Sequence, residues 1–247
     1  MNYYRTSGLN SIPTVVKNLL IINCLFFLAT FVLSAKGIDL TNLLGLHYIK
    51  SNLFQPYQII THMFMHGSIM HIAFNMYALW MFGKVLEQVW GPKKLLIYYF
   101  ITGLGAVFLH LLVMHFQIVH LLNTMPQEKI SYVMSEGAKI IVRNQNFTDP
   151  DMANLNMLYN GTTVGASGAV FGLLLAFGML FPNVELYLMF IPMPIKAKYF
   201  VMGYGAIELF SGIANRVGDN TAHFAHIGGM IFGFILIKMW KKKGNLY

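Results

Sequence analysis

Long apolar runs constrain this sequence more than anything else in it. Several are long enough to cross a bilayer, which takes roughly 20 residues as a helix. A backbone that crosses hydrocarbon must satisfy its own N–H and C=O groups, so such runs fold as helices packed in a bundle. Composition agrees: 56% of the 247 residues are hydrophobic and only 11% are charged, where a soluble domain carries about 25%. The reading is an all-α, polytopic membrane protein, a six-transmembrane-helix bundle forming a single domain over residues 1–247. Spans are expected at about 13–34, 68–90, 94–116, 166–182, 197–214 and 222–240. Lys84 and Glu87 interrupt the second run and put its last turns at the interface. Pro182, Pro192 and Pro194 prevent the connector between spans four and five from being one regular helix. The segment of about 117–163 reads as a long outer loop that caps the domain or is partly disordered; it holds the sequons at Asn146 and Asn160.

The net charge of +8 could point to nucleic acid, but the positive charges lie in short connectors and at the termini, and no aromatic-basic interleaving suits a nucleic acid. Lys17, Lys84, Lys93, Lys94, Lys196, Lys198 and the lysines from Lys238 to Lys243 fall on one side of the membrane. The positive-inside rule makes that side cytoplasmic, with both termini on it. A bare six-span core without a targeting extension points to a bacterial inner membrane rather than an organelle. The single cysteine, Cys24, excludes an intramolecular disulfide.

Three polar clusters stand against this apolar background: His62, His66, His71 and Asn75; Gly165, Ser167 and Gly168; and His226, Gly229 and Gly233. Ionisable side chains inside a membrane are costly and mark function by default. Spans two, four and six cross in the same direction, so their N-terminal ends share one face. Ser167 to Phe181 covers about 22 Å of helix in a hydrocarbon core of about 30 Å, which sets Ser167 below the outer surface. Asn160 to Ala166 looks non-helical, and such backbone is tolerated at depth only within protein or beside water. Gly168-x3-Gly172 and Gly229-x3-Gly233 are small-residue faces that permit close helix approach. If they meet, Ser167 and His226 converge.

The chemistry of that pair is nucleophilic. A serine hydroxyl needs a neighbouring base, and an imidazole suits the task. Ser167 opens a helix, whose free N–H groups and positive dipole end favour an oxyanion. His71 and Asn75 share a helix face and could donate to the same oxyanion. No Asp or Glu occupies a position that completes a triad, so a Ser–His dyad oriented by packing is expected, with Phe171 stacking on His226. Glu208, an intramembrane carboxylate, reads as a capped, bundle-facing side chain near the cavity. His62 and His66 are spaced as a metal-chelating pair but lack a carboxylate or thiol, which favours structural hydrogen bonding. His110, His115 and His120 spread around their helix, and His223 sits at the interface. A transporter would show paired broken helices or inverted repeats, and neither is visible. A binding-only membrane protein would have lost the serine or the histidine.

These residues resemble the rhomboid family of intramembrane serine proteases. The HxxxHxxxxHxxxN run, the GxSG opening span four and the HxxGxxxG of span six occur in the family's order, over about 13–240. The resemblance implies Ser167 as nucleophile and His226 as general base. It implies an oxyanion hole from the Ser167 N–H, His71 and Asn75, with Gly165, Gly168, Phe171, Gly229 and Gly233 supporting and packing the dyad. It also implies cleavage of single-span membrane proteins in the lipid bilayer, with no metal, ATP or other cofactor. Two departures stand out. Gln55, Pro56, Tyr57 and Gln58 occupy the stretch where the first loop often carries a Trp-Arg pair, and Phe171 stands where many members have Tyr.

Overall fold

The structure is a computed structural model that describes residues 12–143, 145–187, 193–214, 221–244 and 246. Its helices are α1 (Thr14–Ser34), α2 (Leu40–Leu44), α3 (Gln58–Thr61), α4 (Ile69–Ala78), α5 (Lys84–Trp90), α6 (Pro92–Thr124), α7 (Gln127–Val142), α8 (Pro150–Asn160), α9 (Ser167–Leu180), α10 (Ala197–Ala214) and α11 (His223–Lys242). A π-helical turn, Leu79–Gly83, joins α4 to α5 in one rod. By length and composition α1, the α4–α5 rod, α6 and α11 can each cross a membrane, while α9 is a shorter apolar helix. The chain is a polytopic helical membrane bundle. Between α9 and α10 the backbone leaves the helical state: β1 (Glu185–Leu186) pairs antiparallel with β2 (Ile195–Lys196). Pro192 lies outside the described residues.

α9 is the axis of the bundle. Its residues from Gly168 to Leu174 are all buried, as expected for a helix that is apolar all round. Glycine lets its neighbours come close. A Cβ on Gly229 would stand 1.9 Å from the Gly168 carbonyl oxygen, and one on Gly168 would stand 2.4 Å from Ala106 Cβ. The two small-residue faces therefore meet at Gly168 and Gly229. Their second glycines do not meet: Gly172 abuts Thr102 and Gly233 abuts the Tyr98 hydroxyl, both on α6. Tyr98 Oη donates 2.9 Å to the Gly172 carbonyl, locking α6 to α9 through a buried polar contact.

α1 is held at its start by a residue of another helix. Pro13 precedes α1 and offers no side-chain cap. The Glu87 carboxylate fills that role from α5, accepting the Val15 and Val16 N–H groups at 2.9 Å each. Glu87 is buried, because two orphan donors and the positive end of α1 offset the cost of desolvating it.

The 117–163 segment is largely helical. α6 runs on to Thr124, beyond the expected end at 116, because Met114, Ile118 and Leu121 continue an apolar stripe. That stripe packs with Ile130, Val133, Met152 and Leu155 of α7 and α8 to form a second small core. The two sequons are folded into this cap. Asn160 is buried and donates 2.9 Å to Asn156, which in turn donates 3.0 Å to Asn146. The first loop, which lacks the Trp-Arg pair, is organised around Gln58. Its amide donates to the Leu43 and Leu53 carbonyls and its oxygen accepts from His47 N and Gln55 N.

Glu87→Ala strips both partners from the start of α1. Each buried N–H left unpaired costs about 1–3 kcal/mol, so the unfolding temperature in detergent should fall by several degrees; an unchanged transition would mean that α1 is held by apolar packing alone.

Candidate active site

Ser167 is the first residue of α9, and the extended stretch before it is tied down on several sides. Leu46 and Thr163 exchange both backbone hydrogen bonds (2.9 and 2.8 Å), and Gly165 N–H donates 2.9 Å to the His62 carbonyl. His110 Nε2 lies 3.0 Å from Thr163 Oγ1. The backbone groups of Thr163 and the Gly165 N–H are thus paired within the protein, as irregular backbone in a membrane bundle requires. Gly165 adopts a positive φ of 133°. A Cβ there would also stand 2.8 Å from His71 Nε2 and 3.5 Å from Ser167 Oγ, so glycine is required on both grounds.

Ser167 Oγ lies 2.8 Å from His226 Nε2. The pair is 59 residues apart in sequence and is joined by the close crossing of α9 and α11 at Gly168 and Gly229. Phe171, one turn along α9, stacks on His226 with ring centroids 4.1 Å apart and planes within 7°. That contact controls the plane of the imidazole. His226 itself is buried.

His71 sits in the first turn of α4, where Ser68 accepts its backbone N–H at 3.1 Å and caps the helix. Its ring reaches Gly165 and so flanks the same point as Ser167 Oγ. Asn75 follows one turn later and is buried, with one amide hydrogen donated 3.0 Å to the His71 carbonyl. His62 and His66 do not converge on a third ligand among the described residues. His62 Nδ1 is 2.8 Å from the Gln58 carbonyl, and His66 packs edge-on to His71 at 5.0 Å between centroids. Gly168 and Gly229 pack against each other, whereas Gly233 lies one turn away against α6.

Three further polar residues lie by the site. Glu208 of α10 faces the bundle; its Oε2 lies 2.7 Å from His226 Nδ1 and 2.6 Å from His223 Nδ1. His223 therefore faces the bundle rather than the interface. The available signal was the His223-x2-His226 spacing, which turns two imidazoles to one side of a helix. The third is His110, which together with Gly103, Ala106 and Val107 lines a small cavity behind Ser167; that i, i+3, i+4, i+7 spacing is itself the signature of one helix face.

Glu208, His223 and His226 also bring three potential metal-ligating atoms within 4.8 Å of one another. Ligands at 2.0–2.1 Å around a tetrahedral ion stand about 3.3 Å apart, so the observed separations are those of direct hydrogen bonds.

A family model described as the Rhomboid domain matches residues 53–243, and the chain belongs to that family. Its relatives include the mitochondrial RHOMBOID-like protein 12 of Arabidopsis thaliana, 28% identical over 87% of this chain and 55% of the relative. The mitochondrial Rhomboid protein 1 of Saccharomyces cerevisiae is 26% identical over 78% of this chain and 43% of its own length. Rhomboid protease AarA of Providencia stuartii is 26% identical over 70% of this chain and 52% of its own. The chain thus spans about half the length of these relatives.

Gly229→Ala drives a methyl into the Gly168 carbonyl and pushes α11 off α9. The Ser167–His226 contact should be lost and the unfolding temperature in detergent should fall, while α6–α9 packing survives. An unchanged unfolding transition in this variant would mean that the Gly168–Gly229 crossing does not hold α9 against α11.

Proposed function

We propose that the protein is an intramembrane serine endopeptidase that cleaves transmembrane segments of single-span membrane proteins, with Ser167 as nucleophile and His226 as general base. The observation that carries this reading is the 2.8 Å contact between Ser167 Oγ and His226 Nε2 at the start of a membrane helix. Family membership supports it, since a named rhomboid protease is among the relatives.

The reaction follows from these positions. As Ser167 Oγ attacks the scissile carbonyl carbon, its proton passes to His226 Nε2. The negative charge on the former carbonyl oxygen develops beside the Ser167 N–H, which lacks an intrahelical acceptor at the helix start. His71 and the second amide hydrogen of Asn75 are the further donors to this oxyanion. His226 then protonates the departing amine, and water entering a cavity open to the outer face hydrolyses the acyl-enzyme. Gly165, Gly168, Phe171 and Gly229 support the pair by close approach and stacking, and Gly233 seats α11 on α6. Neither a metal nor another cofactor has a step in this scheme.

For the host membrane, a bacterial inner membrane with both termini cytoplasmic is proposed, because it keeps the lysines from Lys238 to Lys243 on the inner face. The mitochondrial and chloroplastic names among the relatives favour an organellar membrane as the second reading.

Purified protein in detergent should cleave a designed single-span substrate, and Ser167→Ala and His226→Ala should each abolish cleavage and fluorophosphonate labelling of Ser167. Cleavage that survives both substitutions would end the reading. His71→Ala and Asn75→Ala should each lower kcat by about 10²–10³-fold, the loss associated with one oxyanion donor; variants with normal kcat would remove that residue from the hole.

A further inference from the structure

We propose that Glu208 is a positioning residue for proteolysis: its carboxylate holds His226 in the one tautomer and ring orientation that can accept the proton of Ser167. The proposal rests on the assignment of Ser167 and His226 above, and it replaces a two-residue device with three residues drawn from α9, α10 and α11.

The geometry is a continuous chain. Ser167 Oγ lies 2.8 Å from His226 Nε2, and Glu208 Oε2 lies 2.7 Å from Nδ1 on the other edge of the same ring. Stacking on Phe171 fixes the plane of the imidazole but not its rotation within that plane, since a half-turn about the Cβ–Cγ bond preserves the stack. Only an in-plane partner selects between the two. An ionised carboxylate can accept but not donate. Its contact therefore requires the proton on Nδ1, and a neutral ring then has its lone pair at Nε2, facing the serine hydroxyl.

The second histidine reinforces this. His223 Nδ1 approaches the same oxygen at 2.6 Å, and Glu208 is buried at 5% exposure. An oxygen with two lone pairs can accept two N–H donors, whereas a protonated oxygen at that position could not take both. A buried charge is maintained only with such compensation. His223 thus braces Glu208 from one turn before His226.

The protons balance without Glu208 changing state. When the Oγ–C bond forms, the hydroxyl proton moves to Nε2 and the imidazolium keeps Nδ1–H pointed at the carboxylate. When the C–N bond breaks, the Nε2 proton leaves with the amine. Glu208 takes no proton; it orients the ring and stabilises its transient positive charge, the role that a buried acid plays beside a catalytic histidine.

Two measurements test this. In the wild-type protein labelled with ¹⁵N-histidine, His226 should have a protonated Nδ1 and an unprotonated Nε2; the opposite tautomer would overturn the proposal without any variant. In kinetics on the designed single-span substrate, Glu208→Ala and Glu208→Gln should lower kcat by about 10²–10⁴-fold with little change in KM, and Glu208→Asp should recover part of the loss. A kcat for Glu208→Ala within about twofold of wild type would overturn it. So would a joint loss of kcat, substrate affinity and thermal stability that Glu208→Asp does not rescue, since that marks a purely structural carboxylate. Activity retained by Ser167→Ala and His226→Ala would fell the site assignment and this inference together; activity retained by Glu208→Ala alone would fell only the inference.

Discussion

The crossing of α9 and α11 at Gly168 and Gly229 is the contact on which the rest depends. With no room for even a methyl group between the Gly229 Cα and the Gly168 carbonyl, the two helices approach as closely as backbone allows. Lipid tails are as apolar as leucine, so membrane helices gain little by hiding apolar surface from one another, and close packing must supply the association. Because Ser167 begins α9 and His226 lies in the first turn of α11, the same crossing sets the distance between hydroxyl and imidazole. α6 then fastens both helices one turn further along, through Thr102 and Tyr98.

A short helix with an irregular lead-in is the second requirement. α9 starts within the bundle because residues 161–165 are not helical, and Thr163 and the Gly165 N–H are held by Leu46, His110 and His62. The first loop is therefore part of the support of the nucleophile, and its own order comes from Gln58. This connects two segments that the sequence presents as unrelated: a polar stretch before span two and a glycine-rich stretch before span four. His62 joins the two, its ring bonded to the Gln58 carbonyl and its own carbonyl to Gly165.

Both intramembrane carboxylates illustrate where sequence reading stops. Glu87 interrupts an apolar run, and its partners prove to be the first N–H groups of α1; Glu208 reads as a capped, bundle-facing carboxylate, and its partners prove to be His226 and His223. A buried carboxylate must find donors, but its sequence says nothing about which ones when those donors are 71 or 18 residues away. The outer segment is a different case. Ile130, Val133 and Gly137 repeat at helical spacing along α7, so that helix is legible in the sequence; that it packs with α8 on the extended end of α6 is not.

The sequence by itself determined the bundle, the common face of the polar clusters and the family, because hydropathy, span parity and short motifs are local properties written residue by residue. Phe171 over His226 was also readable, since both flank glycine faces at helical spacing. Tertiary structure alone decided which glycines touch, which carboxylate joins the imidazole and which backbone groups hold the serine's approach strand. Those are long-range pairings, and they are set by how helices cross rather than by what any one helix contains.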